Sequence, residues 1–127
     1  MSKQFAVCGI LPIINGFYLS VSRKDDPNKI GFIGGKVDKH EDTKSALIRE
    51  AYEETGLHVA IEDHLPFIDT DGDFTVSCYM LRLLDIPHEQ IEEHETGIIR
   101  IASKIQLCKA SPYGKYNTQA FEWFNIE

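Results

Sequence analysis

The sequence predicts an α/β fold, and three observations lead to that prediction. Strand-like apolar runs bounded by turn signals occupy both halves of the chain, and a strongly helical, capped segment lies between them. A length of 127 residues suits one domain, residues 1–127, with a single core. No internal repeat or low-complexity tract divides the chain. We therefore expect one compact α/β unit.

The first elements are a predicted β-hairpin and an extended segment. Asn15-Gly16 separates two apolar runs and is a hairpin turn signal. In chain order, the prediction is strands at residues 5–14 and 17–22, a loop at 24–29 and a short extended piece at 30–33. Gly34 and Gly35 follow, where a backbone without side chains can turn tightly and approach a ligand.

A helix is predicted next, with recognisable ends. Asp42 or Thr43 can cap its N-terminus, and Gly56 stands where a left-handed C-cap is preferred. One arc of the helical wheel is expected to pack against the core, and it contains Leu47, Ile48, Ala51, Tyr52 and Thr55. The adjacent arc is acidic, so the helix packs with one side and presents carboxylates with the other.

The second half of the chain predicts further strands and C-terminal helical segments. In order, these are strands at 57–61 and 74–84 with a turn at 69–73 between them, a polar acidic segment at 87–96, a strand at 98–102, a helix start at 103–108, and a helical or extended piece at 118–124.

Three glutamates on the helix form the candidate metal site. Glu50, Glu53 and Glu54 stand at i, i+3 and i+4, so their carboxylates project from one face and repel one another. Mg²⁺ and Mn²⁺ prefer carboxylate oxygens, and such a cation would neutralise the cluster. Arg49 lies one turn before Glu53 and can pair with it. The alternative is an ordinary solvated acidic helix face.

The segment around these acids resembles the box of the Nudix hydrolases, GX5EX7REUXEEXGU, in which U is aliphatic. Every spacing is intact, and the matching positions are Gly35, Glu41, Arg49, Glu50, Ala51, Glu53, Glu54, Gly56 and Leu57. Ala51 departs slightly, since the family often has a larger aliphatic residue there. The resemblance implies the Nudix fold, a mixed β-sheet sandwiched between helices in an α/β/α arrangement.

The resemblance also implies roles for the residues of the box. The three glutamates would bind Mg²⁺ or Mn²⁺, Gly35 would add its backbone carbonyl, and Glu50 is the preferred candidate for the base that activates water. Arg49 would orient a carboxylate and so assist catalysis. Glu41 is either a further catalytic acid or a helix-start acid favoured by the macrodipole.

Residues outside the box are expected to contribute to the same site. In several Nudix enzymes a loop acid joins the metals, and Glu95 in the acidic segment is our candidate; the alternative is a solvated charge run. Arg23 and Lys24 end the second strand near the start of the box and are candidate phosphate contacts. The alternative is that Arg23 and Lys24 are ordinary surface cations.

A nucleobase pocket is the expectation for a segment near the C-terminus. The stretch at 111–117, SPYGKYN, resembles one in MutT-like members where an aromatic residue and an asparagine line this pocket. Asn117 can offer a donor and an acceptor to a base edge, and Phe32 or Tyr116 can stack on the base. The alternative is a turn followed by core aromatic residues.

Charge and cysteine content narrow the functional classes. The net charge of −7 at pH 7 argues against binding a nucleic-acid backbone, which requires a basic surface. Cys8, Cys78 and Cys108 are odd in number and widely spaced, which favours reduced core thiols and a cytoplasmic location. The N-terminal segment is expected to be a strand and not a signal peptide, and no apolar run is long enough to span a membrane.

The function implied by the resemblance is metal-dependent hydrolysis of a phosphoanhydride bond in a nucleoside diphosphate linked to another group. A MutT-like nucleoside triphosphate pyrophosphohydrolase, such as an 8-oxo-dGTP diphosphatase, is the first subclass to consider. ADP-ribose or other nucleotide sugars, dinucleoside polyphosphates and capped RNA ends remain alternatives. A non-catalytic nucleotide sensor is a further alternative, and such proteins usually lose acids from the box. The sequence leaves the oligomeric state, monomer or homodimer, open.

Overall fold

The computed structural model describes residues 4–14, 16–23, 25–84, 97–110 and 112–126. These residues form seven strands and three helices. The strands are β1 (Gln4–Ile14), β2 (Phe17–Arg23), β3 (Asp26–Lys36), β4 (Val59–Ile61), β5 (Phe67–Asp71), β6 (Phe74–Leu83) and β7 (Gly97–Ser103). The helices are α1 (Thr43–Thr55), α2 (Lys104–Lys109) and α3 (Gly114–Trp123).

All seven strands belong to one mixed sheet. Its order is β4-β6-β1-β3-β2-β7, and β5 pairs with β6 beyond the end of β4. Strands β1 and β6 run parallel, whereas the other pairs are antiparallel. β1 therefore lies at the centre, between β6 on one side and β3 on the other. The predicted α/β fold with a mixed sheet is confirmed.

The two faces of the sheet bury separate hydrophobic clusters, each covered by helices. The cluster under α1 contains Val7, Leu11, Leu19, Ile33, Ala46, Leu47, Ala51, Leu57, Val59, Tyr79 and Leu81. The cluster under α2 and α3 contains Ile10, Tyr18, Phe32, Cys78, Ala102, Leu107, Ala120 and Phe121. We call these the α1 face and the α3 face. Alternation of side chains along each strand sends neighbouring residues to opposite faces, which produces the predicted sandwich.

The predicted hairpin is confirmed, but the loop predicted at 24–29 was too long and the extended piece at 30–33 was too short. β1 and β2 pair antiparallel, and Gly16 between them has a φ of 80°. The segment at 24–29 is not a loop throughout, because β3 begins at Asp26 and continues to Lys36. It pairs with β2 along its first part and with β1 along its last part. Pairing partners on both sides outweigh the weak strand propensity of this polar, glycine-containing segment.

The predicted turn at 69–73 was too long. Residues Phe67–Asp71 form strand β5, and the turn is confined to the next residues, where Gly72 has a φ of 61°. β5 pairs with β6 on one side only among the described residues. The acidic and hydroxyl side chains that suggested a turn suit an edge strand, where polar residues discourage pairing with other chains.

Both caps of α1 are confirmed, whereas part of its predicted packing arc is wrong. The Asp42 side chain accepts a hydrogen bond from the Ser45 N–H at 2.7 Å, and Gly56 adopts a left-handed conformation with a φ of 73°. Leu47, Ala51 and Thr55 are buried, but Ile48 and Tyr52 are 42% and 52% exposed. The buried arc instead includes Ala46 and Glu54. The helix is therefore rotated so that one of its acids faces the sheet.

The two segments predicted near the C-terminus are both helices, but their first and last residues differ from the prediction. The helix start at 103–108 is confirmed as α2, where Ser103 and Gln106 form a capping box. The last helix begins at Gly114, four residues before the predicted segment. The strand predicted at 57–61 is reduced to β4, and the acidic segment at 87–96 lies outside the described residues. Within the described chain, none of the helices has the length and apolar character needed to cross a membrane.

Candidate functional site

The helix α1 is held against the sheet near both of its ends. Near the helix start, the hydroxyl groups of Thr43 and Tyr79 are 2.6 Å apart, which ties α1 to β6. Near its end, Glu54 Oε1 accepts a hydrogen bond from the Gly34 N–H at 2.9 Å, which ties α1 to β3. These contacts place the acidic arc of α1 beside Gly34 and Gly35.

Arg49 is the centre of the polar network in this region. Its Nε and Nη2 donate to both oxygens of Glu41 at 2.9 and 3.0 Å, and its Nη1 donates to Glu50 at 3.0 Å and Glu53 at 3.2 Å. Nη2 also donates to the Lys36 carbonyl at 3.2 Å. The predicted pairing of Arg49 with Glu53 at i, i+4 is present, but the closer partner is Glu41, which fixes the guanidinium in a bidentate geometry.

The pKa values of the network reflect these contacts. The Arg49 guanidinium lowers the pKa of the Glu41 carboxyl, and the Glu41 hydrogen bonds are the largest cause of the raised pKa of Arg49. In contrast, burial raises the pKa of Glu50, partly offset by its hydrogen bond to Arg49. The ion pair between Arg49 and Glu41 is therefore the firmly charged part of the network, and Glu50 is its less solvated acid.

The carboxylates around Arg49 outnumber its positive charge. Asp38 lies 3.4 Å from Nη2, and with Glu41, Glu50 and Glu53 it makes four carboxylates paired with one guanidinium. One positive charge against four negative charges leaves three uncompensated when all are ionised. A site with this imbalance attracts a divalent cation.

The Glu50 carboxylate packs directly against Gly35, where a side chain at residue 35 would otherwise lie. A Cβ atom added to Gly35 would lie 2.5 Å from Glu50 Oε2 and 2.7 Å from Oε1. The side chain of Glu50 is 18% exposed, so its carboxylate is enclosed but still reachable. Carboxylate and backbone carbonyl oxygens are the donors that hard divalent cations prefer, so these residues fit such a cation by chemistry and by proximity.

The three predicted metal ligands are not brought together as one group. Glu54 is 9% exposed and faces Gly34 on the sheet, whereas the side chain of Glu53 is 46% exposed and pairs with Arg49. Within the described ranges, no three His, Cys, Asp or Glu side chains are grouped closely enough to hold a metal ion. The expectation that all three project together from one face was too simple. Mutual repulsion and the competing donors of Arg49 and Gly34 account for their separation.

Three other predicted site residues lie wholly or partly outside the described chain. Lys24 and Glu95 are both outside it. The backbone of Arg23 ends β2, where it pairs with Asp26 of β3 and Gly97 of β7, but its side chain is not described. Their proposed contacts with phosphate or metal therefore stay predictions.

The three predicted nucleobase contacts lie in the core of the α3 face. Phe32 is 7% exposed and makes an edge-to-face contact with Phe121 at 5.5 Å between ring centroids. Asn117 is 2% exposed, and its amide donates to the Leu107 carbonyl at 2.9 Å, which satisfies a carbonyl near the end of α2. The Tyr116 hydroxyl donates to a β6 carbonyl at 3.1 Å. This arrangement is the alternative reading of the segment, a turn followed by core residues.

Two residues have roles in the geometry that the sequence argument did not assign. Tyr113 precedes α3, is 39% exposed, and lies against Gly31 of β3, where an added Cβ would be 3.2 Å from its ring. It belongs to the segment singled out in the sequence, but nothing in its pattern distinguishes it from Tyr116. Glu41 was placed by the box alone, and its pairing with Arg49 depends on the turn before α1, which spacing does not reveal.

Comparison with solved structures identifies relatives of this fold. A NUDIX family hydrolase from Clostridium perfringens has 19% identity and a TM-score of 0.74, and the match covers 99% of each chain. The MutT protein from Methanosarcina mazei has 18% identity and a TM-score of 0.73, covering 99% of this chain and 97% of that one. The dihydroneopterin triphosphate pyrophosphohydrolase of E. coli has 21% identity and a TM-score of 0.67, covering 99% and 98%. At these identities the likeness establishes the fold.

Family membership follows from the sequence itself. No curated protein matched the sequence significantly. The NUDIX domain matches residues 3–124, a span that contains both the sheet and the acidic network around Arg49. Because this domain covers nearly the whole chain, the chain belongs to the Nudix family and is a pyrophosphohydrolase.

Proposed function

We propose that this enzyme cleaves a phosphoanhydride bond in a nucleoside diphosphate linked to another group, with nucleoside triphosphates as the first substrate class. The observation that carries the proposal is the excess of carboxylates around Arg49, next to Gly35, against which the Glu50 carboxylate packs. An acidic network of this kind requires a cation before it can accept a phosphate chain. Nudix hydrolases generally use divalent metals.

The residues proposed to hold Mg²⁺ or Mn²⁺ are Glu50, Glu53, Glu54 and the backbone carbonyl of Gly35. When bound, the metal would neutralise phosphate oxygens and make a water molecule more acidic. Glu54 accepts a hydrogen bond from the Gly34 N–H, and one nitrogen of Arg49 donates to both Glu50 and Glu53. Because these contacts keep the three carboxylates apart, cation binding would require their side chains to turn toward a common point.

Glu50 is the proposed base. Its Oε1 accepts a hydrogen bond from Arg49, and its Oε2 is the carboxylate oxygen nearer to the Cβ position of Gly35. Burial raises the pKa of this carboxyl, which makes its carboxylate a stronger proton acceptor than an exposed glutamate. Its proposed task is to take the proton of the attacking water, while Arg49 keeps the carboxylate oriented. Glu41 acts through Arg49 and is a positioning residue in this proposal.

Tyr113 is the proposed stacking surface for the organic part of the substrate. It is the exposed aromatic ring of the segment at 112–117, whereas Phe32, Tyr116 and Asn117 build the core beneath that segment. Its ring lies against Gly31 of β3, the strand that also contains Gly34 and Gly35. Arg23 and Lys24 are proposed to contact phosphates, and Glu95 is proposed as a further acid at the metals.

A hydrolysis panel tests this function. Purified protein with Mg²⁺ or Mn²⁺ is expected to release pyrophosphate or a nucleoside monophosphate from at least one of several candidates: canonical and oxidised nucleoside triphosphates, ADP-ribose and other nucleotide sugars, dinucleoside polyphosphates and capped RNA. Chelation by EDTA should abolish the activity. Tyr113→Ala should raise KM for the preferred substrate more than it lowers kcat, since stacking contributes similarly to ground and transition states.

The panel also separates the alternatives. A preference for nucleotide sugars, dinucleoside polyphosphates or capped RNA over nucleoside triphosphates would change the proposed substrate class. The proposed cleavage of a phosphoanhydride bond would stand. Tight nucleotide binding in calorimetry, with no turnover in the presence of any metal, would reject the proposed hydrolysis in favour of a nucleotide sensor. If Tyr113→Ala changed kcat equally for all substrates and left their KM values unchanged, the proposal that Tyr113 contacts the substrate would be rejected.

Arg49→Lys is expected to lower kcat/KM by about 10- to 100-fold, the range found when a group supporting a metal ligand is lost. A lysine keeps the charge but cannot hold Glu41 with two parallel bonds while also reaching Glu50 and Glu53. Steady-state kinetics over a range of metal concentrations would measure the effect. We expect the metal concentration for half-maximal activity to rise.

The matched control is Arg82→Lys. Arg82 on β6 has a side chain that is 60% exposed, and among the described residues it forms an ion pair with Glu62 at 3.6 Å. Exposed pairs contribute little, so this variant should retain the activity and metal dependence of the unmodified enzyme. If Arg49→Lys behaved like Arg82→Lys, the proposed orienting role of the guanidinium would be rejected.

A further inference from the structure

Two cysteines that are seventy positions apart in sequence are direct neighbours in the sheet. Cys8 of β1 and Cys78 of β6 are partners in the parallel pairing of these strands. Both side chains belong to the α3 face, where Cys78 is part of the buried cluster and Cys8 packs against it. Neighbouring strands are about 4.8 Å apart, which falls within the Cα separation of disulfides, about 4.4–6.8 Å. Both thiols are free in this structure.

The two thiols differ in accessibility. Cys78 is completely buried, and burial is the main cause of its raised pKa, with a further contribution from the nearby Cys8 thiol. Cys8 is partly exposed, and its thiol donates a weak hydrogen bond to the Tyr116 hydroxyl, with a sulfur to oxygen distance of 3.9 Å. A reagent from solution therefore reaches Cys8 first, and Cys78 can react only with a group already on Cys8.

We propose that Cys8 and Cys78 are a thiol pair that a low-molecular-weight disulfide, RSSR, oxidises to a reversible cross-strand disulfide controlling the neighbouring site. The Cys8 thiolate attacks one sulfur of RSSR, so that a Cys8–SR bond forms and one RS⁻ leaves and takes up a proton. The Cys78 sulfur then attacks the Cys8 sulfur, forms the Cys8–Cys78 bond and releases the second RSH with the Cys78 proton. The two protein thiols are oxidised, and RSSR is reduced to two RSH.

The position of Cys8 connects this pair to the acidic network. Cys8 pairs with Cys78 on one side and with Gly34 of β3 on the other. The Gly34 N–H is the donor to Glu54, and a Cβ on Gly34 would lie 2.7 Å from the Cys8 α-carbon, so the two backbones are in close contact. Disulfides bring Cβ atoms to about 3.5–4.5 Å, closer than strand spacing alone, so oxidation should draw β1 toward β6 and away from Gly34. The expected effect on hydrolysis rests on the proposed function.

The experiment uses oxidised glutathione as the probe on the full chain. Unmodified protein and the Cys108→Ser variant are incubated with it, alkylated, digested and mapped by mass spectrometry. Both should give peptides linked through Cys8 and Cys78, whereas Cys8→Ala should give none. In the linked protein, hydrogen exchange at the Gly34 amide should accelerate by at least about threefold, as expected when a local contact opens. Hydrolysis should fall and recover with dithiothreitol.

The outcomes are separable from those of the proposed function. A stable mixed disulfide on Cys8 without linkage to Cys78, or linkage through Cys108, would overturn the pair. If the disulfide forms but leaves both hydrogen exchange at the Gly34 amide and the hydrolysis rate unchanged, the proposed control of the neighbouring site would be overturned. Linkage and exchange are measured without any substrate, so an enzyme inactive on the whole panel would refute the proposed function while these two measurements still decide the redox proposal.

Discussion

Glu53→Gln is expected to lower kcat/KM by about 100- to 1,000-fold without unfolding the protein. The substitution keeps the shape of the side chain but removes the negative charge proposed to bind the metal. Metal stabilisation of transition-state charge contributes several kcal/mol, and each 1.36 kcal/mol corresponds to a tenfold change in rate. Since the Glu53 side chain is 46% exposed, the free energy of unfolding should change by less than about 0.5 kcal/mol. Steady-state kinetics and chemical denaturation measure the two quantities.

Glu122→Gln is the matched control for that variant. Glu122 is an exposed acid on α3, away from the network around Arg49, and it undergoes the same change in charge and shape. It should keep full activity, which would exclude a general effect of net charge. Full activity in Glu53→Gln would contradict the proposed metal role. An equal loss in both variants would point to electrostatic attraction of substrate by the whole surface.

The sequence was informative about the site where chemistry depends on spacing along one helix. The caps at Asp42 and Gly56 and the pairing of Arg49 with Glu53 are local features, so they could be inferred from residues within a few positions. The bidentate contact between Arg49 and Glu41 could not, because it depends on the path of the turn between β3 and α1. The spacing of residues in the sequence identified the members of the network around Arg49, but it did not show that Glu41 is the closest partner of Arg49.

Long-range pairing explains the larger errors. Strand β5 was predicted as a turn because Asp69-Thr70-Asp71 is polar, and its pairing with β6 is invisible in a local pattern. The same limit applies to the α3 face. Whether Asn117 meets a base or a backbone carbonyl depends on how α3 lies over α2, and helix packing leaves its amide bonded to Leu107. The adjacency of Cys8 and Cys78 is also a property of strand order.

Alanine at two adjacent glycines is expected to give opposite results. A Cβ at Gly34 would clash with the Val7 carbonyl and lie 2.9 Å from the Cys8 Cβ in the neighbouring strand. Backbone in a central sheet cannot move aside easily, so Gly34→Ala should lower the free energy of unfolding by about 1–3 kcal/mol or more. A Cβ at Gly35 would instead meet the Glu50 carboxylate, the far end of a flexible side chain. Gly35→Ala should therefore fold nearly as well as the unmodified protein.

Activity should rank these two variants in the opposite order to stability, with Gly35→Ala the less active. Gly35→Ala displaces Glu50 from the space beside the backbone, and we expect kcat/KM to fall by about 100-fold, since small displacements of catalytic groups have effects of this size. At a temperature where Gly34→Ala is still folded, it should retain more activity per folded molecule than Gly35→Ala. Each variant is the control for the other, because the chemical change is identical and the positions differ by one residue. A stable, fully active Gly35→Ala enzyme would mean that Glu50 does not work from this position, and the base would then have to be sought elsewhere.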